Sequence, residues 1–246
     1  MSWGYCVYGL RVLSDGPIPG LLPSDGTDTI DIRVWLNRMP SWWEEHSKET
    51  ETVWYTSPAV DGRGQPRLIV WKLNASWYRL LYFDGTEFLV DPTGGELWSR
   101  WPTAATLRDT ATYLIGPVMG FILRIRGVCC LHASAASTGQ TIIAFAGPPH
   151  AGKSTTAAAF AKLGYPVVSD DILALQQEED GVLVRPGYPR ICLWPDATTS
   201  LYGASHHLPR ITPEEGINDW WDKRYLDLTS SDGHWFQTQS LPLSAI

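Results

Sequence analysis

The run Gly147-Pro148-Pro149-His150-Ala151-Gly152-Lys153-Ser154 constrains this chain most, because it fits G-x-x-x-x-G-K-[ST] at every fixed position. Thr141–Ala146 before it is an uninterrupted apolar stretch, the pattern of a strand in a sheet covered on both faces. Lys153–Leu163 after it reads as a helix that Gly164 ends. In such a loop the glycines let the backbone curl, so that several N–H groups point at one phosphate. The start of the following helix adds a partial positive charge. Lys153 then reaches the β- and γ-phosphates, and the Ser154 hydroxyl ligates Mg²⁺. ATP and Mg²⁺ are therefore the expected cofactors. The expected cradle is Gly147, Pro148, Pro149, His150, Ala151, Gly152, Lys153, Ser154 and Thr155, with His150 as filler in the motif's variable part.

The chain around this motif divides into two regions. Residues 1–103 look β-rich, with short alternating stretches at Thr29–Trp35, Arg67–Leu73, Ser76–Phe83 and Glu87–Val90. Turns at Asp61-Gly62, Asp84-Gly85 and Gly94-Gly95 separate them. Trp42-Trp43 sits among charged residues and reads as a polar loop or a short helix. From Ala104 to Gly127 the period turns helical: Leu107, Ala111, Leu114, Val118, Phe121 and Ile125 recur at three- and four-residue steps. Val128–Ala136 then reads as one strand, Ser137–Gln140 as a tight turn, and Pro166–Ser169 as the strand after the motif's helix. That order is a βαβ unit. The expected class is α/β, or α+β over the whole chain: a β-rich region 1–103 ahead of a P-loop core at 104–246. There is no internal repeat.

Composition removes several function classes. Hydrophobic residues make up 44% and charged residues 18%, enough for a sizeable core. The net charge of −7 argues against nucleic acid or an anionic membrane as the main partner, while leaving room for a local basic pocket. The apolar tract Thr110–Leu123 contains Pro117 and is too short to span a bilayer, so it is expected to be a buried helix. No signal peptide is visible, and the four cysteines have no metal spacing. They read as free thiols of a reducing, cytoplasmic protein. The 13 tryptophans are not interleaved with basic residues and are expected to fill cores and hairpins.

Several other residues could carry chemistry. Asp170-Asp171 ends the strand after the motif, where a carboxylate holds Mg²⁺ in P-loop enzymes. One member of the pair would then hold metal and the other would act as base towards a hydroxyl. A helix N-cap is the equal alternative, since Ile172, Leu173 and Leu175 follow. His132 lies ahead of the motif strand and is either structural or catalytic. His206-His207 lacks a third ligand for zinc.

Leu131-His132-Ala133-Ser134, the P-loop and Val167-Val168-Ser169-Asp170-Asp171, in that order and spacing, resemble the catalytic core of the HPr serine kinase/phosphorylase family and its HPr kinase-related members. Pro186–Asp196, Asp222–Tyr225, Tyr113–Pro117 and Arg126-Gly127 look like the related kinases, some of them encoded with lasso-peptide biosynthesis genes. The resemblance implies a nucleotide-binding core like that of phosphoenolpyruvate carboxykinase. It implies transfer of the γ-phosphoryl group of ATP to a seryl hydroxyl of a peptide or protein, with a ribosomal peptide precursor and a lasso-peptide C-terminal serine among the acceptors. It also implies Asp171 as proton acceptor, His132 as organiser of the site, Lys153 on the phosphates and Ser154 on Mg²⁺. Asp170 would support the metal or Asp171.

Lys223 or Arg224 would stabilise the charge on the moving group, with Arg224 as the expected catalytic cation. The founding family's glutamate-containing segment is not visible here, so HPr as acceptor and the reverse phosphorylase reaction are not expected. Asp196 is the candidate replacement ligand. The chain ends in Ser240–Ile246, where relatives continue; an unpaired strand there would be an association edge, so a homo-oligomer is among the expectations. Two alternatives keep the same loop: an ATP-binding regulatory module without turnover, and a small-molecule kinase.

Overall fold

The computed structural model describes residues 2–24, 29–46, 52–73, 77–203, 208–212, 221–229 and 236–246. His206-His207 lie outside them. The first half is a mixed sheet of β1 (Trp3–Val7), β2 (Leu10–Ser14), β3 (Ile32–Trp35), β4 (Thr52–Thr56), β5 (Leu68–Lys72), β6 (Tyr78–Tyr82), β7 (Glu87–Val90) and β8 (Glu96–Arg100), with the short helix α1 (Trp43–His46) between β3 and β4. The strand order is β1-β2-β3-β8-β7-β6-β5-β4. Asp84-Gly85 and Gly94-Gly95 turn the chain as expected, with left-handed backbone at Gly85 and Gly94. The β1–β2 hairpin was not legible. Its turn is Tyr8-Gly9, with φ of 54° and 77°, a two-residue geometry usually signalled by Asn-Gly.

Helix α2 (Leu107–Tyr113) starts at a capping box, in which Thr106 and Asp109 satisfy each other's backbone N–H groups. It runs through a π-helical turn at Leu114–Val118 into α3 (Met119–Ile125). Pro117 sits in that turn and has no N–H to donate, and Gly116 takes the non-helical φ/ψ of −96°/−106°. An extra residue in the turn rotates the following face by about 100°. Met119, Ile122 and Leu123 are therefore fully buried, while Phe121 and Ile125, expected on the inner stripe, are only half-buried. The helix covers the eight-stranded sheet: Ala111, Leu114, Val118 and Ile122 share one core with Val12, Ile32, Leu80, Phe88 and Leu97. Among the described residues no helix is long and apolar enough to cross a membrane.

The remaining strands are β9 (Cys129–Leu131), β10 (Ala133–Ser137), β11 (Ile142–Ala146), β12 (Val167–Ser169), β13 (Leu173–Glu178), β14 (Gly181–Arg185), β15 (Arg190–Leu193), β16 (Arg224–Asp227) and β17 (Leu241–Ala245). Helix α4 (Lys153–Lys162) follows β11, and α5 (Pro195–Tyr202) follows β15. A seven-stranded sheet has the order β12-β10-β11-β17-β14-β13-β9, and β15 pairs with β16 apart from it. β11 and β12 are both antiparallel to β10, hence parallel to each other. The expected strand–helix–strand unit is present, with β10 inserted between its two strands. β17 pairs with β11 on one side and β14 on the other, so it is no free edge.

The expected single strand Val128–Ala136 is two strands, broken by a bend at His132. This break fixes the shape of the sheet. His132 alone separates β9 from β10, and Asp170–Ile172 separate β12 from β13, yet in each pair the strands lie at or near opposite ends of the sheet order. Trans-linked Cα atoms are about 3.8 Å apart, so one linking residue cannot span a flat seven-stranded sheet. The sheet therefore curls until its ends meet. Ala133, Ala135, Ile142, Val168, Leu173 and Val184 fill its inside. Ala157, Ala158 and Ala161 of α4 pack outside with Val167, Ile191, Leu193 and Leu226.

Candidate functional site

Both chain crossings at the seam of the curled sheet carry candidate residues: His132 on one, Asp170 and Asp171 on the other. The crossings are tied by a hydrogen bond of 3.0 Å between His132 Nδ1 and the carbonyl oxygen of Asp171. A carbonyl only accepts, so Nδ1 carries the proton and Nε2 is left for other partners. Asp171 holds a left-handed φ of 66°, uncommon outside glycine and a local strain that the seam sustains. Ile172 leads into β13 rather than into a helix, so the acidic pair is not an N-cap.

The two carboxylates are placed differently. Asp170 is 1% exposed. Its Oδ1 accepts from the Ser134 hydroxyl of β10 at 2.6 Å, and its Oδ2 from the Cys192 N–H of β15 at 2.8 Å. Burial, with the neighbouring charge of Asp171, pushes its carboxyl above the ordinary aspartate value. These bonds tie it to β10 and β15 beside the turn that carries Asp171, and Asp170, expected at the metal, does not line the cleft described below. The Asp171 side chain is 34% exposed, and its Oδ2 lies 3.6 Å from the Lys223 ammonium. Burial alone would lower the proton affinity of Lys223; Asp171, Cys192 and Asp170 outweigh it, and the net direction is up. Asp170, Asp171 and Cys192 bring three ligand atoms within 4.8 Å of one another. Burial pushes the Cys192 thiol up to about 12. A protonated sulfur is a poor donor for Mg²⁺, which takes oxygen.

Beneath the acidic turn, Pro186-Gly187-Tyr188 crosses β12. The Gly187 N–H bonds the Val168 carbonyl at 2.9 Å, and the Tyr8 N–H bonds the Pro186 carbonyl at 2.7 Å. A Cβ on Gly187 would fall 2.2 Å from Ser169 Oγ and 3.1 Å from Tyr8 Cε1, so only glycine fits. The β1–β2 turn of the first sheet is thus wedged under the seam of the second. The sequence had no signal for this.

At the glycine-rich loop, β11 ends at Ala146 and α4 starts at Lys153. Gly152 takes a φ of 87° ahead of α4, and no side chain caps the helix. The first N–H groups of a helix have no partner within it, so an uncapped start is a set of donors open to an anion. Lys153 is 8% exposed, and its ammonium donates to the carbonyls of Gly147 and Pro148 at 3.1 Å each. Ser154 and Thr155 are half-buried at the first turn.

Loop and seam face one open cleft of about 810 Å³. His132, Pro149, His150, Gly152, Lys153, Ser154, Thr155, Asp171 and Lys223 line it, and Cys192, Leu193, Trp194, Pro195, Asp196, Ala197 and Asp222 complete it. Gly147, Pro148 and Ala151, also expected in the cradle, shape the loop without lining the cleft. Arg224, the expected catalytic cation, is also absent from the lining: its guanidinium is held by Asp222 at 2.9 Å and by the Leu208 carbonyl at 3.1 Å. Its strand position pairs it with Leu193, and the preceding residue, Lys223, is the one that reaches Asp171. For Mg²⁺ the side-chain oxygen donors on the cleft wall are Ser154, Thr155, Asp171, Asp196 and Asp222. Compared with known proteins, the chain matches no family model and no curated protein.

Proposed function

We propose that this protein is an ATP-dependent phosphotransferase that moves the γ-phosphoryl group to a seryl hydroxyl of a peptide or protein, as the HPr kinase-related proteins it resembles do. The observation that carries the reading is the shared cleft. An uncapped helix start with Lys153 and Ser154 opens onto the same space as Asp171, Lys223 and His132. Phosphoryl transfer asks little covalent work of a protein; it needs positioning and neutralised charge.

In this reading the loop amides and Lys153 hold the β- and γ-phosphates. Mg²⁺, bound through Ser154 and the phosphates themselves, would offset charge on the phosphate oxygens. Asp171 accepts the proton as the seryl Oγ–H bond breaks, the Oγ–P bond forms and the bond from phosphorus to the β-phosphate oxygen breaks, leaving ADP. Lys223 lies beside Asp171 and stabilises charge on the moving group. His132 holds the Asp171 backbone through Nδ1 and lines the cleft. Asp170 fixes the turn from below.

The test is incubation with γ-labelled ATP, Mg²⁺ and a peptide ending in serine. Label on the serine supports the reading. Binding of ATP without labelled product, with peptides and small hydroxyl metabolites alike, rejects it in favour of a nucleotide-binding module.

A further inference from the structure

Trp194 is 42% exposed and lines the cleft with Ser154 and Thr155. Its backbone is fixed: it is extended at φ/ψ of −75°/155°, and its carbonyl accepts from the Thr198 N–H at 3.0 Å and the Thr198 hydroxyl at 3.2 Å as α5 begins. Helix α5 is anchored to α4, the helix whose start faces the cleft. The Lys162 ammonium donates to the Leu201 carbonyl and lies 5.7 Å from the Tyr202 ring centre. Ala197, Leu201 and Tyr202 pack against the core that holds Ala157 and Ala161. The backbone that carries the indole is therefore held at a set place relative to α4.

Several other tryptophans of this chain are engaged with rings away from the cleft. Trp35 stacks on Trp98 at 4.0 Å, and Trp42, Trp43 and Trp54 meet other rings edge-on. Among the described residues Trp194 meets no ring and no cation. An indole left half in water in a concave site is an open stacking face.

The chemistry of that end of the cleft narrows what it stacks. Leu193, Pro195 and Ala197, chain neighbours of Trp194, also line the cleft, and their side chains offer phosphate no hydrogen bond. A cleft of about 810 Å³ suits a ligand larger than three phosphates. We propose that Trp194 is the platform on which the purine ring of the bound nucleotide stacks, so that the cleft grips its ligand at both ends. This rests on the phosphate-binding role of the loop proposed above.

The experiment compares Mg²⁺-ATP with Mg²⁺-tripolyphosphate, which has the phosphates and no base, by calorimetry on the full chain. The parent is expected to bind ATP more tightly than tripolyphosphate. Trp194→Ala should weaken ATP about tenfold and leave tripolyphosphate within twofold, and Trp194→Phe should restore most of the loss. Unchanged tripolyphosphate binding also shows that the variant is folded.

Equal weakening of both ligands, or of neither, overturns the platform while leaving the loop's role intact. Unchanged ATP binding with a raised peptide KM also overturns it and reassigns Trp194 to the acceptor. If the parent binds neither ligand, the phosphate cradle fails, and the platform with it.

Discussion

The two sheets of this protein solve packing in opposite ways. The eight-stranded sheet is built from large side chains. Phe88, Leu80, Leu89 and Leu97 are fully buried, Tyr82 stacks on Tyr113 at 3.9 Å, and the buried Glu87 is clamped by Arg79 and Arg100. Arg79 in turn lies over the rings of Trp43 and Trp71. The seven-stranded sheet uses small ones. Every residue of Ala133-Ser134-Ala135-Ala136-Ser137 is buried, and Ala157, Ala158 and Ala161 put α4 against it. Small residues let backbones approach closely, and a cleft made of backbone amides, two chain crossings and a glycine-rich loop needs that. The first sheet reaches the second through Tyr8, whose N–H bonds the Pro186 carbonyl under the acidic turn.

If chemistry belongs to the seam and stability to the first sheet, variants should separate the two. The largest effect is expected from Asp171→Asn, which should keep ATP binding and lower transfer by about 10²–10⁴-fold. Transfer at the parent rate would remove Asp171 as the proton acceptor. Phe88→Ala should lower unfolding free energy by about 3–5 kcal/mol in urea, yet leave transfer per folded molecule unchanged at low temperature. A loss of specific activity there would mean that the first sheet shapes the cleft directly.

Asp170→Ala strands the Ser134 hydroxyl and the Cys192 N–H and should destabilise by about 2–4 kcal/mol. Asp170→Asn should do far less, because the Ser134 hydroxyl can turn to accept. This pair also carries a pH test. The folded-state value of Asp170 is raised, so the folded chain binds its proton more tightly than the unfolded one does. The stabilisation it contributes is full below the ordinary value of 3.8 and is lost as pH rises through the folded value. Relative to the parent, Asp170→Asn should therefore gain stability across that rise, read from urea midpoints at several pH values. A flat difference would show that the carboxyl is not perturbed.

Gly187→Ala is the smallest change and should destabilise by about 1–3 kcal/mol, because Ser169 must move. It sharpens the comparison, since transfer should fall although residue 187 does not line the cleft. Unchanged transfer would detach the seam's chemistry from its support.

Much of the architecture was legible from local pattern. The flanks of the glycine-rich loop, the turns at Asp84-Gly85 and Gly94-Gly95, and the helix around Ala111 and Leu114 all follow from periodicity and from residues with strict backbone preferences. The geometry of the loop was legible for the same reason, since Gly152, Lys153 and Ser154 are set by a few residues of chain. The π-turn at Pro117 rotated a helical face that periodicity alone placed wrongly.

Which cation faces Asp171 could not be read locally: Lys223 and Arg224 are neighbours, and strand pairing with β15 decides between them. The sequence by itself determined the glycine-rich loop, the strand and helix that flank it and several turns, because these depend on interactions between near neighbours in the chain. The tertiary structure alone decided that Asp170 is buried as a brace while Asp171 reaches the cleft, that β17 lies inside the sheet, and that Tyr8 supports the site. Each of those facts depends on how strands distant in the chain lie beside one another.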